Sequence, residues 1–204
     1  MEEERNITNN SVEQSMNWQQ SVMLYLHDLI HLIAIIIVVF LLLFRIVVVS
    51  GSSMYATFQD GDWLLVLSSV FYRNPEHGDV IIASKDSFND GEPIIKRVIA
   101  TEGQIVDIDF EAGIVYVDGI ALEEEYIYTS TTTFEGIEFP IEVQDGCIFV
   151  MGDNRDRSKD SRSPEIGQID KRQILGRAVF LVFPGEGEGI YGGSRNFDRI
   201  GVFR

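Results

Sequence analysis

Three short segments hold the side chains able to do covalent chemistry. The first, S-G-S-S-M-Y-A-T at residues 50–57, presents serine hydroxyls in a turn of small residues. The second, I-I-K-R-V-I-A at residues 94–100, sets Lys96 among apolar neighbours. The third, M-G-D-N-R-D-R-S-K-D-S-R at residues 151–162, follows the apolar run C-I-F-V-M and is dense in charge. A serine attacks a carbonyl efficiently once a neighbouring base takes its proton, and a lysine of lowered pKa can be that base. Histidine is scarce: the sequence has His27, His31 and His77, two of which flank or enter an apolar run. Histidine-based triads and metal sites are therefore short of parts.

Each segment also has a plainer reading. Ser53 can be a linker serine, with Ser50 and Ser52 as similar neighbours. In an alternating strand Lys96 points the same way as Ile94 and Val98. It is then either an edge lysine whose ammonium reaches water, or a desolvated amine. An unperturbed lysine titrates near ~10.4, which leaves about one in a few thousand neutral at pH 7. Burial lowers that value by up to ~3–5 units. The 151–162 segment can be a solvated acidic turn. Its Asp153, Asp156 and Asp160 do not follow the D-x-[DN]-x-[DN]-G spacing of a calcium loop.

The elements that must position these residues are mostly strands. D-W-L-L-V-L at 62–67, D-V-I-I-A-S at 79–84 and I-I-K-R-V-I-A at 94–100 are short and rich in β-branched residues. Q-I-V-D-I-D at 104–109 alternates, and Asp118-Gly119 is a hairpin signal. Residues 147–151 and 174–183 add two strands. The expected fold is mainly β: an antiparallel sheet or barrel-like domain behind one N-terminal transmembrane helix.

That helix is expected over residues 29–49, where Leu32–Phe44 holds no charged residue and Arg45 can snorkel to an interface. A cleavable signal peptide fits less well, because the stretch is long and stands behind M-E-E-E-R. Residues 1–28 read as a polar, acidic, cytoplasmic tail. Residues 50–184 form the β-rich domain. Residues 185–204, with glycine at 185, 187, 189, 192 and 193, read as a mobile tail. The net charge of −16 argues against nucleic acid as a partner. The single cysteine, Cys147, allows no internal disulfide and sits in an apolar stretch.

Taken together, the three segments resemble the signature boxes of type I signal peptidases, membrane-anchored Ser/Lys proteases that remove signal peptides. Members carry a serine box S/D-G-x-S-M-x-P-T, a lysine box K-R-V-x-G-x-P-G-D, and G-D-N-R-x-x-S-x-D-S-R. Residues 50–57, 96–104 and 152–162 match these in order and spacing, the last at every defined position. The resemblance spans residues from about 29 to 183.

It implies Ser53 as nucleophile and Lys96 as general base, with no metal and no cofactor. Ser158 would orient the lysine amine by a hydrogen bond. Asp160 and Arg162 would form a supporting ion pair, and Gly152, Asp153, Asn154 and Arg155 would shape the turn. The backbone N–H groups of Ser53 and Gly51 would stabilise the oxyanion. Val49, Met54, Phe58 and Ile95 are candidates to line pockets for small substrate side chains. The implied partners are signal peptides of exported preproteins, cut after A-x-A-like sites, and the bilayer itself. The implied location is the cytoplasmic membrane, with the domain on the outer side, although Arg45 alone would favour the opposite orientation. Ala56, Ala100, Glu102 and Gln104 depart from the boxes, and none replaces a reacting group. A non-catalytic binding domain and a Ser/Lys protease for one dedicated substrate remain open alternatives.

Overall fold

The computed structural model describes residues 18–86, 88–187 and 189–203. Most of the expected acidic tail lies outside the described residues. Helix α1 covers Trp18–Leu43. Its Ser21–Leu43 portion, 23 residues of mean hydropathy 2.7, is long and apolar enough to cross a bilayer. The expected bounds of 29–49 are corrected at both ends. Residues 18–28 lack Gly and Pro and continue the apolar spacing through Val22, Tyr25 and Leu26, so the helix begins earlier. Phe44–Val48 leaves the helix altogether and forms strand β1. Its Ile46, Val47 and Val48 are β-branched and find ladder partners in the next strand. Arg45 therefore lies on β1 opposite Val66, not within the helix.

From Phe44 onward the chain is antiparallel β. Strands β2 (Trp63–Ser68), β3 (Val80–Ala83) and β4 (Ile94–Thr101) fall within a residue or so of the expected runs. Then come β5 (Ile105–Asp109), β6 (Ile114–Val117), β7 (Ile120–Ala121) and β8 (Ile141–Glu142). Strands β9 (Cys147–Met151), β10 (Ile169–Asp170) and β11 (Ile174–Phe183) complete the set. Seven strands form one sheet in the order β1-β2-β11-β3-β4-β9-β10, and four form a second in the order β7-β6-β5-β8. Asp118 and Gly119 both adopt positive φ at the β6–β7 turn, as the hairpin signal predicts.

Strand β4 is the hinge of the architecture. Its Ile99 and Ala100 pack with Phe149 and Met151 of β9 against Val106, Ile108, Val115 and Val117 of the second sheet. Its Ile95 joins a different core with Val49, Met54, Phe58, Leu64 and Val66. Residues Ile95–Ala100 are consequently all buried, and both faces of β4 are covered. A lysine here is not an edge lysine.

The expectation of a mobile tail after residue 184 is also corrected. Gly185 N–H donates to the buried Asp62 carboxylate at 2.7 Å, and Gly201 exchanges backbone hydrogen bonds with Leu181 at 2.9 and 3.1 Å. Phe203 packs edge-on against Phe58 with ring centroids 4.6 Å apart. Gly185 serves close approach: a Cβ there would overlap the Asp60–Asp62 backbone.

Candidate active site

Strands β1 and β2 form a hairpin whose connection, residues 49–62, carries the serines. The ladder is prolonged by Val49 N–H to Asp62 O at 2.8 Å and Gly61 N–H to Val49 O at 2.9 Å. Beyond that closure the loop needs φ of +85° at Gly51, a conformation glycine adopts without strain. Met54 O accepts Phe58 N–H at 2.8 Å, closing a single helical turn after Ser53.

Pairing of Arg97 with Met151 brings the loop after β9 alongside Lys96. That loop is not a solvated turn. Asp153, Asn154, Arg155, Asp160 and Arg162 are all fully buried. Buried charge persists when it is paired and hydrogen-bonded, and each of the four charges has its partner. Asp153 takes a two-pronged bond from Arg97, Nε to Oδ1 at 2.9 Å and Nη2 to Oδ2 at 2.7 Å. Arg155 is held by Glu124 at 2.5 and 2.9 Å and by Thr131. Arg162 grips Asp160 through Nε–Oδ1 at 2.8 Å and Nη2–Oδ2 at 2.9 Å, and also faces Glu135 Oε1 at 3.1 Å. The loop closes back on β9 by Gly152 N–H to Asp160 Oδ2 and Val150 N–H to Ser161 Oγ.

The same loop holds the serine segment. Asn154 donates its backbone N–H to Ser53 O and its side-chain N–H to Ser52 O, both at 3.0 Å. Thr57 Oγ1 donates to Asp153 Oδ2 at 2.5 Å. Gly152 permits this closeness, because a Cβ there would overlap the Ser158 side chain and the Ser53 carbonyl oxygen. One carboxylate, Asp153, thus ties the serine loop, the lysine strand and the charged loop together.

Out of this packing comes the central contact: Lys96 Nζ donates to Ser53 Oγ at 2.9 Å and to Ile95 O at 3.0 Å. Lys96 is 5% exposed. Burial pulls its pKa down to about 8, against the upward pull of Asp160, Asp153 and Glu135 and with the help of Arg162. The pair faces a cleft of about 470 Å³ whose walls include Val49, Met54 and Ile95.

Three expected details are not met. Ser158 Oγ turns toward Lys159 O at 3.4 Å and makes no hydrogen bond to the Lys96 amine, whose donors go to Ser53 and Ile95. Gly51 N–H is already committed to Asp60 Oδ1 at 2.7 Å, so it is not a second oxyanion donor. Ser53 N–H donates to no group among the described residues. Phe58 is fully buried against Phe203 and lies in the core, not on the cleft wall. The sequence reading passed over Glu135, Thr57 and Arg97. Arg97 and Thr57 stand inside the quoted boxes, whereas nothing around Glu135 in T-T-F-E-G marks it.

A serine hydroxyl thus meets a buried, partly neutral amine on a cleft of mixed polar and apolar lining, an arrangement able to support Ser/Lys hydrolysis. The chain belongs to the signal peptidase family, peptidase S26, whose model matches residues 22–183. It is 32% identical over 180 residues to signal peptidase I of Bacillus licheniformis, covering 84% of this chain and 94% of that one. It is 38% identical over 144 residues to a probable signal peptidase I-1 of Synechocystis, covering 67% and 69% of the two chains. Signal peptidase I of Bacillus amyloliquefaciens is 35% identical over 150 residues, covering 70% of this chain and 75% of that one.

Proposed function

We propose that this protein is a type I signal peptidase that cuts exported preproteins after small residues, with Ser53 as nucleophile and Lys96 as general base. The single observation that carries the assignment is the 2.9 Å contact between Lys96 Nζ and Ser53 Oγ, made by a buried amine. In its neutral form the amine accepts the Ser53 proton as Oγ attacks the scissile carbonyl. The tetrahedral oxyanion receives the Ser53 N–H. Lys96 then returns the proton to the leaving amine, the mature protein departs, and an ester to Ser53 remains. Water, deprotonated by the same lysine, cleaves that ester and frees the signal peptide.

Val49, Met54 and Ile95 supply apolar wall beside Ser53 and Lys96 against which small substrate side chains can pack. Asp160 and Arg162 hold the loop that faces the lysine, and Asn154 and Asp153 hold the serine loop. Helix α1 is the anchor in this reading, with the β domain on the extracytoplasmic side of the cytoplasmic membrane. A short tether of this sort raises the local concentration of a membrane-held substrate.

The test is cleavage of a precursor with an A-x-A site by the full chain in detergent. Ser53→Ala and Lys96→Met are expected to abolish it while the β domain stays folded. Full cleavage by either variant refutes the dyad. A folded, inactive parent chain rejects the general peptidase reading in favour of a binding domain or a dedicated substrate.

A further inference from the structure

We propose that the C-terminal residues 185–187 and 189–203 are a strap that positions the serine loop, with Arg199 as its principal positioning residue. The inference rests on the reading of Ser53 as nucleophile. The segment lies beyond the residues matched by the family model, which end at 183.

The loop from Ser50 to Asp62 is held on one flank by Asn154 and Asp153. Its other flank meets the C-terminal segment. Arg199 Nη2 donates to the Thr57 carbonyl oxygen at 3.2 Å. The same guanidinium forks onto Asp62, Nη1 to Oδ1 at 2.9 Å and Nη2 to Oδ2 at 2.5 Å. Asp62 is fully buried, and it also accepts Gln59 N–H and Gly185 N–H, each at 2.7 Å. Gly187 N–H donates to Asp60 O at 3.1 Å, and the Asp60 carboxylate holds Gly51 N–H. Tyr191 packs on Tyr55 with centroids 4.7 Å apart, and Phe203 on Phe58.

Thr57 is thereby gripped from both sides, its hydroxyl by Asp153 and its carbonyl by Arg199. Thr57 belongs to the single turn, closed by Phe58 N–H to Met54 O, that directly follows Ser53. A planar fork on a carboxylate fixes direction as well as distance. A misplacement of about 1 Å at a reacting group can lower a rate by ~10²-fold. The strap is therefore placed to govern the Ser53–Lys96 geometry without touching substrate.

The experiment compares the full chain in detergent with Arg199→Lys and Tyr191→Ala. Cleavage kinetics on an A-x-A precursor are measured beside hydrogen exchange of residues 53–62, β4 and β9. Arg199→Lys keeps a charge beside Asp62 but loses the fork. It is expected to lower kcat about tenfold with KM within about twofold. Exchange is expected to quicken in residues 53–62 and not in β4 or β9. Tyr191→Ala, which leaves the Asp62 pair intact, lowers kcat by a smaller factor. Unchanged kcat, unchanged exchange at 53–62, or quickened exchange throughout β4 and β9 overturns the strap. Absence of cleavage by the parent chain rejects the peptidase reading instead, and the exchange comparison still decides the strap.

Discussion

Lys96 Nζ stands 2.9 Å from Ser53 Oγ while its own side chain is nearly closed to water. Burial alone works against a protonated amine, and the nearby Asp160, Asp153 and Glu135 work for it. The balance puts the pKa at about 8, so about one amine in ten is neutral at pH 7. The rate of cleavage is expected to climb nearly tenfold per pH unit below that value and to level off above it. A profile of kcat/KM against pH, taken from pH 6 to about 10 on one precursor, checks this. A flat profile would exclude Lys96 as the base.

Glu135 adds a charge that the signature boxes do not contain. Its carboxyl is pushed up to about 7, mainly by burial and next by the Asp160 charge, while Arg162 and Lys159 oppose the shift. In its ionised form it favours the protonated state of Lys96. Glu135→Gln removes that negative charge, so the Lys96 amine should lose its proton at lower pH. The acid limb of the pH profile is expected to move to lower pH, with faster cleavage at pH 7. A uniform drop in rate with no movement of the limb would assign Glu135 a purely structural part.

The buried amine has a second consequence, for stability. Its pKa in the folded chain, about 8, lies below the ordinary 10.5. Between those values the unfolded chain binds the proton and the folded chain does not, so stability rises with pH across that window. Below pH 8 the folded state carries the full penalty of a desolvated charge. Lys96→Met removes that charge and keeps the volume. The variant is expected to be inactive yet more stable at pH 7 by about 1–3 kcal/mol, with the gain shrinking toward pH ~10.5. Urea unfolding at pH 7 and pH 10 measures the difference.

The residue types made most of this legible before any geometry. β-Branched runs gave the positions of β2, β3, β4, β9 and β11, and the serine, lysine and G-D-N-R segments marked the site. Four things were hidden. The helix ends at Leu43 because Ile46–Val48 gain partners in β2, and an apolar run alone does not say whether its end joins a helix or a sheet. Gly51 N–H is spent on Asp60, a long-range contact across the loop that no local pattern encodes. The glycines after residue 184 read as flexibility because composition is local, whereas Gly185 permits close packing against Asp60–Asp62 and Gly187 against Tyr191. Glu135 was missed for the same reason: its importance comes from facing Arg162 across the fold.

Arg162 carries the heaviest demand in the charged loop. Its guanidinium is wholly buried and answers Asp160 and Glu135, together with the carbonyl oxygens of Arg155, Ser158 and Thr133. Replacing it by alanine leaves the Asp160 carboxylate buried without its cation, along with backbone acceptors that water hardly reaches. Loss of one member of a buried pair costs about 3–5 kcal/mol. Arg162→Ala is therefore expected to lower the stability of the β domain by about that amount and to disorder residues 152–162 first. Because Asn154 anchors Ser52 and Ser53, cleavage should fall along with it. Arg162→Lys restores one charge but not the fork, and is expected to recover part of the stability and less of the activity. Urea midpoints and cleavage rates of the two variants check this, and wild-type values for Arg162→Lys in both assays would show that a single positive charge is enough at this position.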